Sequence, residues 1–156
     1  MGVNFTYVHQ RHPSGIAQAI NLCASSFKNE KEFSVCLGDN LFFDTNIAWK
    51  QNDKAQLMLT STPEIHRFGV ASIKNEKIVS IEEKPRVLRE DCDNYAVTGL
   101  YKFDYKFFEY FKRITPSLRR EFEVSDIINY KQSLNSNNTD IHMLLPKCLV
   151  IKSNKQ

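Results

Sequence analysis

The sequence lacks the features that mark several specialised classes of protein. Its net charge is only +3 and its 21 lysine and arginine residues are scattered, so a nucleic-acid-binding surface is not predicted. No apolar run approaches the roughly 20 residues that a membrane-spanning helix needs. No repeat, low-complexity linker or signal peptide is recognised. What remains is typical of a single globular domain, with 42% hydrophobic and 25% charged residues.

The four cysteines show none of the spacings typical of metal or redox sites. Cys23, Cys36, Cys92 and Cys148 include no CxxC pair and no neighbouring histidine pattern. Reduced thiols in a cytoplasmic protein are the simplest interpretation, so a cytoplasmic location is predicted.

Alternating strand and helix patterns predict an α/β layered domain. Segments rich in β-branched and aromatic residues predict strands at 4–8, 33–37, 54–60, 68–73, 77–82 and 95–103, with a short strand in CLVI (148–151). Apolar residues at helical spacing predict helices that run to about Phe27 after Ser14 as N-cap, over 105–112 and over about 121–134. The polar stretch NSNNTD (135–140) is predicted to be a loop.

One apolar run, FSVCLGDNLFF (33–43), is interrupted by Gly38, Asp39 and Asn40 where a buried strand should end. Its first part is apolar enough for a strand that is covered on both faces, as in a parallel sheet. An aspartate directly after such a strand lies where open α/β sheets bind ligands. An ordinary Gly-Asp-Asn turn is the alternative, and these residues alone do not decide between the two.

Five stretches, in order, resemble the sugar-1-phosphate nucleotidyltransferases, most closely those of the glucose-1-phosphate thymidylyltransferase type. They are QRHPSGIAQAI (10–20), CLGDNLFF (36–43), RFGVASIKNEKIVSIEEKP (67–85), NYAVTGLYKFD (94–104) and RREFEVSDIIN (119–129). The resemblance implies a Rossmann-like layered α/β fold with a mixed, mostly parallel sheet flanked by helices. It also implies that dTTP and glucose 1-phosphate react, with the help of Mg²⁺, to give dTDP-glucose and pyrophosphate.

The resemblance also implies roles for eight residues. Asp39 matches a ligand of Mg²⁺, and Lys84 matches the catalytic cation that faces the sugar phosphate. Gln10 matches a glutamine that hydrogen-bonds the pyrimidine base, and Gly15 a glycine that lets the backbone approach the nucleotide. The positions that match sugar contacts are Gly69, Glu83, Val97 and Glu121.

Simpler interpretations stay open for several of these residues. Gln10 is also compatible with an exposed loop residue, and the EEKP stretch around Lys84 with a solvated run of charge. Glu121 is equally compatible with an acidic residue in the first turn of a helix. Phe68 stands where close relatives often carry tyrosine, so a hydroxyl contact there would be lost.

Two elements of the family have no counterpart in these 156 residues. One is the glycine-rich loop, with its arginine and lysine, that wraps the triphosphate. The other is a Trp-x-Asp-Thr-Gly element whose aspartate binds a second metal, and nothing after Asn129 resembles it. Residues 1–134 are therefore expected to form a partial nucleotidyltransferase domain that is truncated at both ends, followed by a divergent tail at 135–156.

These absences lower the activity expected of this chain alone. Losing one comparable electrostatic contact typically lowers a rate by about two to three orders of magnitude, so little or no nucleotidyl transfer is expected. The homo-oligomers common in the family are in doubt for this chain. A non-catalytic module that binds a nucleotide sugar or a protein partner and a remnant of a disrupted gene are the alternative interpretations.

Overall fold

The computed structural model describes residues 2–42, 49, 55–134 and 148–150, which form an α/β structure. The helices are α1 (Ile16–Leu22), α2 (Phe107–Phe111) and α3 (Val124–Leu134). The strands are β1 (Glu32–Cys36), β2 (Asn40–Phe42), β3 (Gln56–Thr60), β4 (Gly69–Lys74), β5 (Lys77–Glu83), β6 (Asp93–Asp104) and β7 (Cys148–Val150). Short 3₁₀ helices lie at Ala24–Phe27 and Ile65–Arg67. No helix within these ranges has the length and apolar character to cross a bilayer.

Strand β6 organises the main sheet because three other strands pair with it. Ala96 pairs with Thr60 of β3 on one edge and with Val70 of β4 on the other. Lys102 likewise pairs with both β3 and β1. Strands β1 and β4 therefore lie end to end along one edge of β6, and residues 97–99 lie at the break between them.

The α/β layered fold is confirmed, but the predicted strand direction is not. Each pairing between the described strands is antiparallel, so the expectation of a mostly parallel sheet is wrong for this part of the chain. Strand β3 is buried at four successive positions, and β6 at six. A strand covered on both faces gives the same continuous apolar run whatever the direction of its neighbours, so the sequence pattern did not reveal the direction.

An aromatic cluster connects the sheet to the helices. The ring centroid of Phe33 in β1 lies 4.6 Å from that of Phe27 and 5.2 Å from that of Phe108 in α2. Phe103 of β6 contacts Phe107 of α2 at a centroid distance of 4.9 Å. Burying such a side chain is worth about 1.5–3 kcal/mol, so this cluster fixes β1 and α2 against β6.

Helix α3 covers the outer edge of β5. Its apolar face buries Val124, Ile127 and Ile128, at the i, i+3, i+4 spacing expected of an amphipathic helix. Asn129 accepts a hydrogen bond from the backbone N–H of Ile81 (3.0 Å) and donates one to the carbonyl of Ile81 (2.7 Å). One side-chain amide thus replaces a neighbouring strand at this edge, which holds the middle of α3 beside β5.

Most predicted elements are confirmed within a few residues, but the helix predicted to run to about Phe27 ends at Leu22 and is followed by the 3₁₀ helix Ala24–Phe27. Two further local predictions are wrong. Residues 4–8 form no strand in the described structure, and Phe5 and Tyr7 are 74% and 91% exposed, because β-forming residues need a paired, half-buried surface. Gly15, not Ser14, occupies the N-cap position of α1. The CLVI prediction is confirmed as β7, while the loop at 135–140 lies outside the described residues. The division at residue 134 stays a prediction.

Candidate functional site

A cavity of about 250 Å³ opens beside β6 at the break between β1 and β4. Strand β6 contributes the segment 97–99, and other lining residues come from the β1–β2 turn, the ends of β4 and β5, and the chain that enters α3. Six of the residues predicted from the sequence line this one cavity: Asp39, Gly69, Glu83, Lys84, Val97 and Glu121. Gln10 and Gly15 are not among the lining residues.

The wall that carries Asp39 is built against Gly99. Leu37 donates its backbone N–H to the Gly99 carbonyl (2.7 Å), and the Gly99 N–H is donated to Asn40 Oδ1 (3.3 Å). A β carbon at position 99 would lie 2.7 Å from Cβ of Leu37, so glycine is required for this close approach. Asn40 then donates its amide to Asp39 Oδ1 at 2.7 Å. The turn and the ligand-facing interpretations are therefore compatible, since the aspartate lies in a turn and also lines the cavity.

Lys84 follows β5 in a backbone conformation that is uncommon for a lysine. Its φ of 49° is in the left-handed region, which costs a non-glycine residue of the order of 1 kcal/mol. Two hydrogen bonds hold this conformation: the Lys84 N–H donates to the Phe68 carbonyl (2.9 Å), and His66 Nδ1 donates to the Pro85 carbonyl (2.7 Å). The exposed side chain of Lys84 lines the cavity. Such strain persists where the surrounding structure fixes it, and it is common at functional sites.

The carboxylate of Glu83 occupies space that Gly69 leaves open. The two residues are register partners in the β4–β5 hairpin, and a β carbon at position 69 would lie 2.9 Å from Glu83 Oε2. Burial, followed by the negative charge of Glu123, raises the pKa of Glu83, while Arg119 and Lys84 oppose that rise. Glu83 therefore binds a proton more readily than an exposed glutamate does.

Arg119 lies at the centre of a cluster of carboxylates. Its guanidinium is 3.2 Å from Glu83 Oε1, 3.0 Å from Glu121 Oε2 and 3.5 Å from Glu123 Oε1. Ser117 donates its hydroxyl to Glu123 at 3.0 Å and accepts the backbone N–H of Arg119 at 3.2 Å. We call these five residues the Arg119 cluster. It joins the end of β5 to the chain that enters α3 and brings a guanidinium to the cavity.

Arg119 and Glu123 are residues of the site that were not predicted from the sequence. Both belong to the RREFE stretch, in which only Glu121 was singled out, as a sugar contact or as an acidic residue in the first turn of a helix. The structure begins α3 only at Val124, so residues 119, 121 and 123 lie before the helix. Their alternation with Arg120 and Phe122 is the signal that was available, since alternate residues of a non-helical segment tend to share one side.

Gln10 and Gly15 connect the start of α1 to the Arg119 cluster. Gln10 donates its amide to the Gly15 carbonyl (3.2 Å) and to Gln18 Oε1 (2.6 Å). Gly15 has a φ of 99°, and a β carbon there would lie 2.7 Å from the backbone nitrogen of Phe122 and 3.1 Å from Cβ of Glu121. Gly15 thus allows the chain before α3 to pack against α1, which is a structural reason for a glycine at this position.

Comparison with known proteins gives a direct answer about the family. The family model described as nucleotidyl transferase matches residues 1–145. The chain belongs to this family. The membership predicted from the five motifs is confirmed, and the family's α/β fold agrees with the architecture described above. The roles of the individual residues stay predictions, because the match concerns the chain as a whole.

Two similar proteins share the name glucose-1-phosphate thymidylyltransferase. A glucose-1-phosphate thymidylyltransferase from Neisseria meningitidis is 35% identical over 133 residues, which cover 81% of this chain and 45% of that protein. The corresponding protein of Streptomyces antibioticus is 31% identical over 151 residues, covering 92% of this chain and 40% of that protein. The chain thus spans less than half the length of these two relatives.

Solved structures agree with the sequence relatives. A structure described as a glucose-1-phosphate thymidylyltransferase of Bacillus anthracis, in complex with sucrose, superposes with a TM-score of 0.74 at 39% identity. The superposition covers 94% of this chain and 59% of that one. A UDP-glucose pyrophosphorylase complexed with UDP-glucose gives a TM-score of 0.75 at 21% identity over 96% of this chain and 61% of that one, which supports the fold alone.

Proposed function

We propose that the cavity binds glucose 1-phosphate, as part of a site that transfers a thymidylyl group from dTTP to this sugar phosphate. The observation that carries the proposal is the convergence of Lys84 and Arg119 with the carboxylates of Asp39, Glu83 and Glu121 in one cavity. A sugar phosphate needs cations for its phosphate and acceptors for its hydroxyls, and both occur here. The relatives named glucose-1-phosphate thymidylyltransferase support the choice of base and sugar.

The size of the cavity favours one sugar phosphate. Its volume of about 250 Å³ is below the roughly 300 Å³ at which pockets for drug-sized ligands begin, so it suits a monosaccharide phosphate better than a whole nucleotide sugar. Glu83 and Glu121 are proposed to accept hydrogen bonds from sugar hydroxyls. Gly69 and Val97 are proposed to contact the sugar through their backbone. Gly69 lies at the end of β4 that borders the break, and Val97 lies in β6 beside it.

The proposed chemistry requires positioning and neutralisation of charge. A phosphate oxygen of the sugar phosphate attacks the α-phosphorus of dTTP in line, and pyrophosphate leaves. Lys84 is proposed as the catalytic cation and Arg119 as its companion, because fixed positive charge lowers the barrier where negative charge accumulates. Gln10 is proposed to hydrogen-bond the pyrimidine base, and Gly15 to let the nucleotide approach the start of α1.

The residues present fit Mg²⁺ only together with a substrate. Among the described residues, no group of three or more histidine, cysteine, aspartate or glutamate side chains forms a metal site. Asp39 offers one exposed carboxylate at the cavity, and Mg²⁺ is commonly held by one or two carboxylates with phosphate oxygens and water. Bound there, Mg²⁺ would neutralise phosphate charge. We propose Asp39 as its protein ligand, and a cytoplasmic location in keeping with small-molecule substrates.

Calorimetry with glucose 1-phosphate and with dTDP-glucose tests the proposal. We expect the 156-residue chain to release or absorb heat with both ligands, and Lys84→Gln to weaken the binding of glucose 1-phosphate roughly tenfold because it removes a cation from the phosphate. Lys77→Gln, at the exposed start of β5, is the matched control and should bind normally. Absence of binding to the wild-type chain would contradict the proposal.

The magnesium assignment has its own test. Asp39→Asn keeps the side-chain shape and removes the charge, so the gain in affinity for dTDP-glucose on adding Mg²⁺ should disappear in this variant. Affinity without Mg²⁺ should stay within about twofold of wild type. Calorimetric titrations with and without 5 mM MgCl₂, roughly the saturating range for weakly held Mg²⁺, measure both quantities. An undiminished response to Mg²⁺ in Asp39→Asn would remove Asp39 from the metal site.

A further inference from the structure

The three carboxylates around Arg119 differ in how easily a ligand can reach them. The side chains of Glu83 and Glu121 are 28% and 37% exposed, whereas that of Glu123 is only 9% exposed. Arg119 itself is 38% exposed. All three carboxylates line the cavity. Glu123 offers a ligand much less surface than Glu83 and Glu121 do, and its Oε1 already accepts from Ser117 and lies 3.5 Å from the guanidinium.

This difference matters once a sugar occupies the cavity. Hydroxyls that donate to Glu83 and Glu121 share these two carboxylates with the guanidinium and weaken their hold on it. Arg119 would then be held less tightly by its two shortest ion pairs, and a long side chain with weaker partners samples more rotamers. The Glu123 carboxylate is the least exposed of the three, so it is the one best placed to keep the guanidinium in position while a sugar engages the other two.

Glu123 is itself well fixed for this task. The hydroxyl of Ser117 donates to Glu123 Oε1 at 3.0 Å, and the same hydroxyl oxygen accepts the backbone N–H of Arg119 at 3.2 Å. Ser117 also donates its own backbone N–H to the Glu121 carbonyl at 2.9 Å. The backbone of Arg119 is thus linked to the Glu123 carboxylate through Ser117, and its guanidinium is paired with the same carboxylate directly.

We infer that Glu123 is a positioning residue that holds the Arg119 guanidinium at the cavity while substrate engages the other two carboxylates. The inference rests on the proposed function, since it needs a sugar phosphate in the cavity. Glu123 contributes no contact to the ligand and acts through Arg119. The Arg119 N–H groups that now contact Glu83 and Glu121 become available to the phosphate of the ligand. Glu123 keeps the guanidinium in position while this happens.

A double-mutant cycle on the whole chain tests this inference. Glu123→Gln keeps the size of the side chain and an acceptor for Ser117 but removes the charge, so affinity for glucose 1-phosphate should fall roughly tenfold. In an Arg119→Ala background the same substitution should have no further effect, because a residue that acts through Arg119 has nothing left to position. Glu109→Gln, on the exposed side of α2, is the control and should match wild type.

The outcomes separate this inference from the proposed function. An effect of Glu123→Gln that persists in the Arg119→Ala background would overturn the inference, since a merely structural role does not depend on Arg119. Normal binding by Glu123→Gln overturns the inference and leaves the proposed function intact, whereas failure of the wild-type chain to bind overturns both. If Glu123→Gln does not fold, Ser117→Ala replaces it in the same cycle, with Ser133→Ala, outside the cluster, as control.

Discussion

Two walls of the cavity are held by different forces. The Asp39 wall, residues 37–40, is held against Gly99 by hydrogen bonds of backbone and amide groups and by close backbone approach. The Arg119 wall, residues 83–84 with 117–123, is joined from β5 to the chain before α3 by ion pairs between partly exposed side chains and the nearly buried Glu123. The first wall should therefore respond to added volume and the second to charge, pH and salt. Three predictions address this contrast, from the largest expected effect to the smallest.

Added volume should destabilise the Asp39 wall most. Gly99→Ala brings a methyl group 2.7 Å from Cβ of Leu37 and against Asn40, so the free energy of unfolding should fall by about 1–3 kcal/mol. In Gly69→Ala the nearest atom is Oε2 of Glu83, the end of a flexible side chain, so a smaller loss is expected. Gly38→Ala meets nothing within 4 Å and is the control. Urea denaturation measures the free energy of unfolding of all three variants. Equal losses in Gly69→Ala and Gly99→Ala would contradict the proposed difference between the two walls.

Removing charge should affect the Arg119 wall chiefly through ligand affinity. Arg119→Ala should weaken the binding of glucose 1-phosphate roughly tenfold, about 1.4 kcal/mol, because the phosphate loses a charged donor. The loss should shrink as salt is raised from 50 to 500 mM, roughly the range over which screening becomes strong. Arg113→Ala, an exposed arginine just after α2, controls for net charge. If the loss of affinity in Arg119→Ala did not depend on salt, Arg119 would act through packing and not through its charge.

The smallest effect concerns pH. Because the pKa of Glu83 is raised in the folded chain above its ordinary value of 4.5, its protonated form favours folding, and that contribution is lost as the pH rises from 4.5 through the raised pKa. Glu83→Gln removes this dependence. The Tm of wild type relative to Glu83→Gln should therefore fall as the pH rises from 4 to 7, roughly the span over which a raised glutamate titrates. Parallel Tm curves for the two proteins would contradict the raised pKa.

The sequence predicted the elements of the site better than its connections. Asp39 and Lys84 were identified from their motifs, and they do line one cavity. The ion pair between Arg119 and Glu83 was missed because it joins residues 36 positions apart, which no local pattern records. The pairs of Arg119 with Glu121 and Glu123 are local, and only the alternation of these residues indicated them. Gln10 was expected at the ligand, yet its amide bonds Gly15 and Gln18. Its proposed role requires that amide to exchange partners on binding.

The fold was likewise predictable only in part. Helix α3 and the β4–β5 hairpin follow from apolar spacing and turn residues, which are local properties. The direction of the strands depends on which neighbours pair, and continuous apolar runs such as that of β3 do not contain this information. Residues 4–8 have the composition of a strand, but Phe5 and Tyr7 remain exposed to solvent. Intrinsic preference does not make a strand without a partner.

The backbone conformation of Lys84 implies a conflict between thermal stability and ligand binding. Glycine adopts a φ of 49° freely, so Lys84→Gly would relieve the main chain while removing the ammonium group from the cavity. Any screen that rewards resistance to heat alone would accept that exchange, and one that rewards ligand retention would reject it. Opposite responses to the two screens at a single position indicate a side chain that serves ligand binding at the expense of stability.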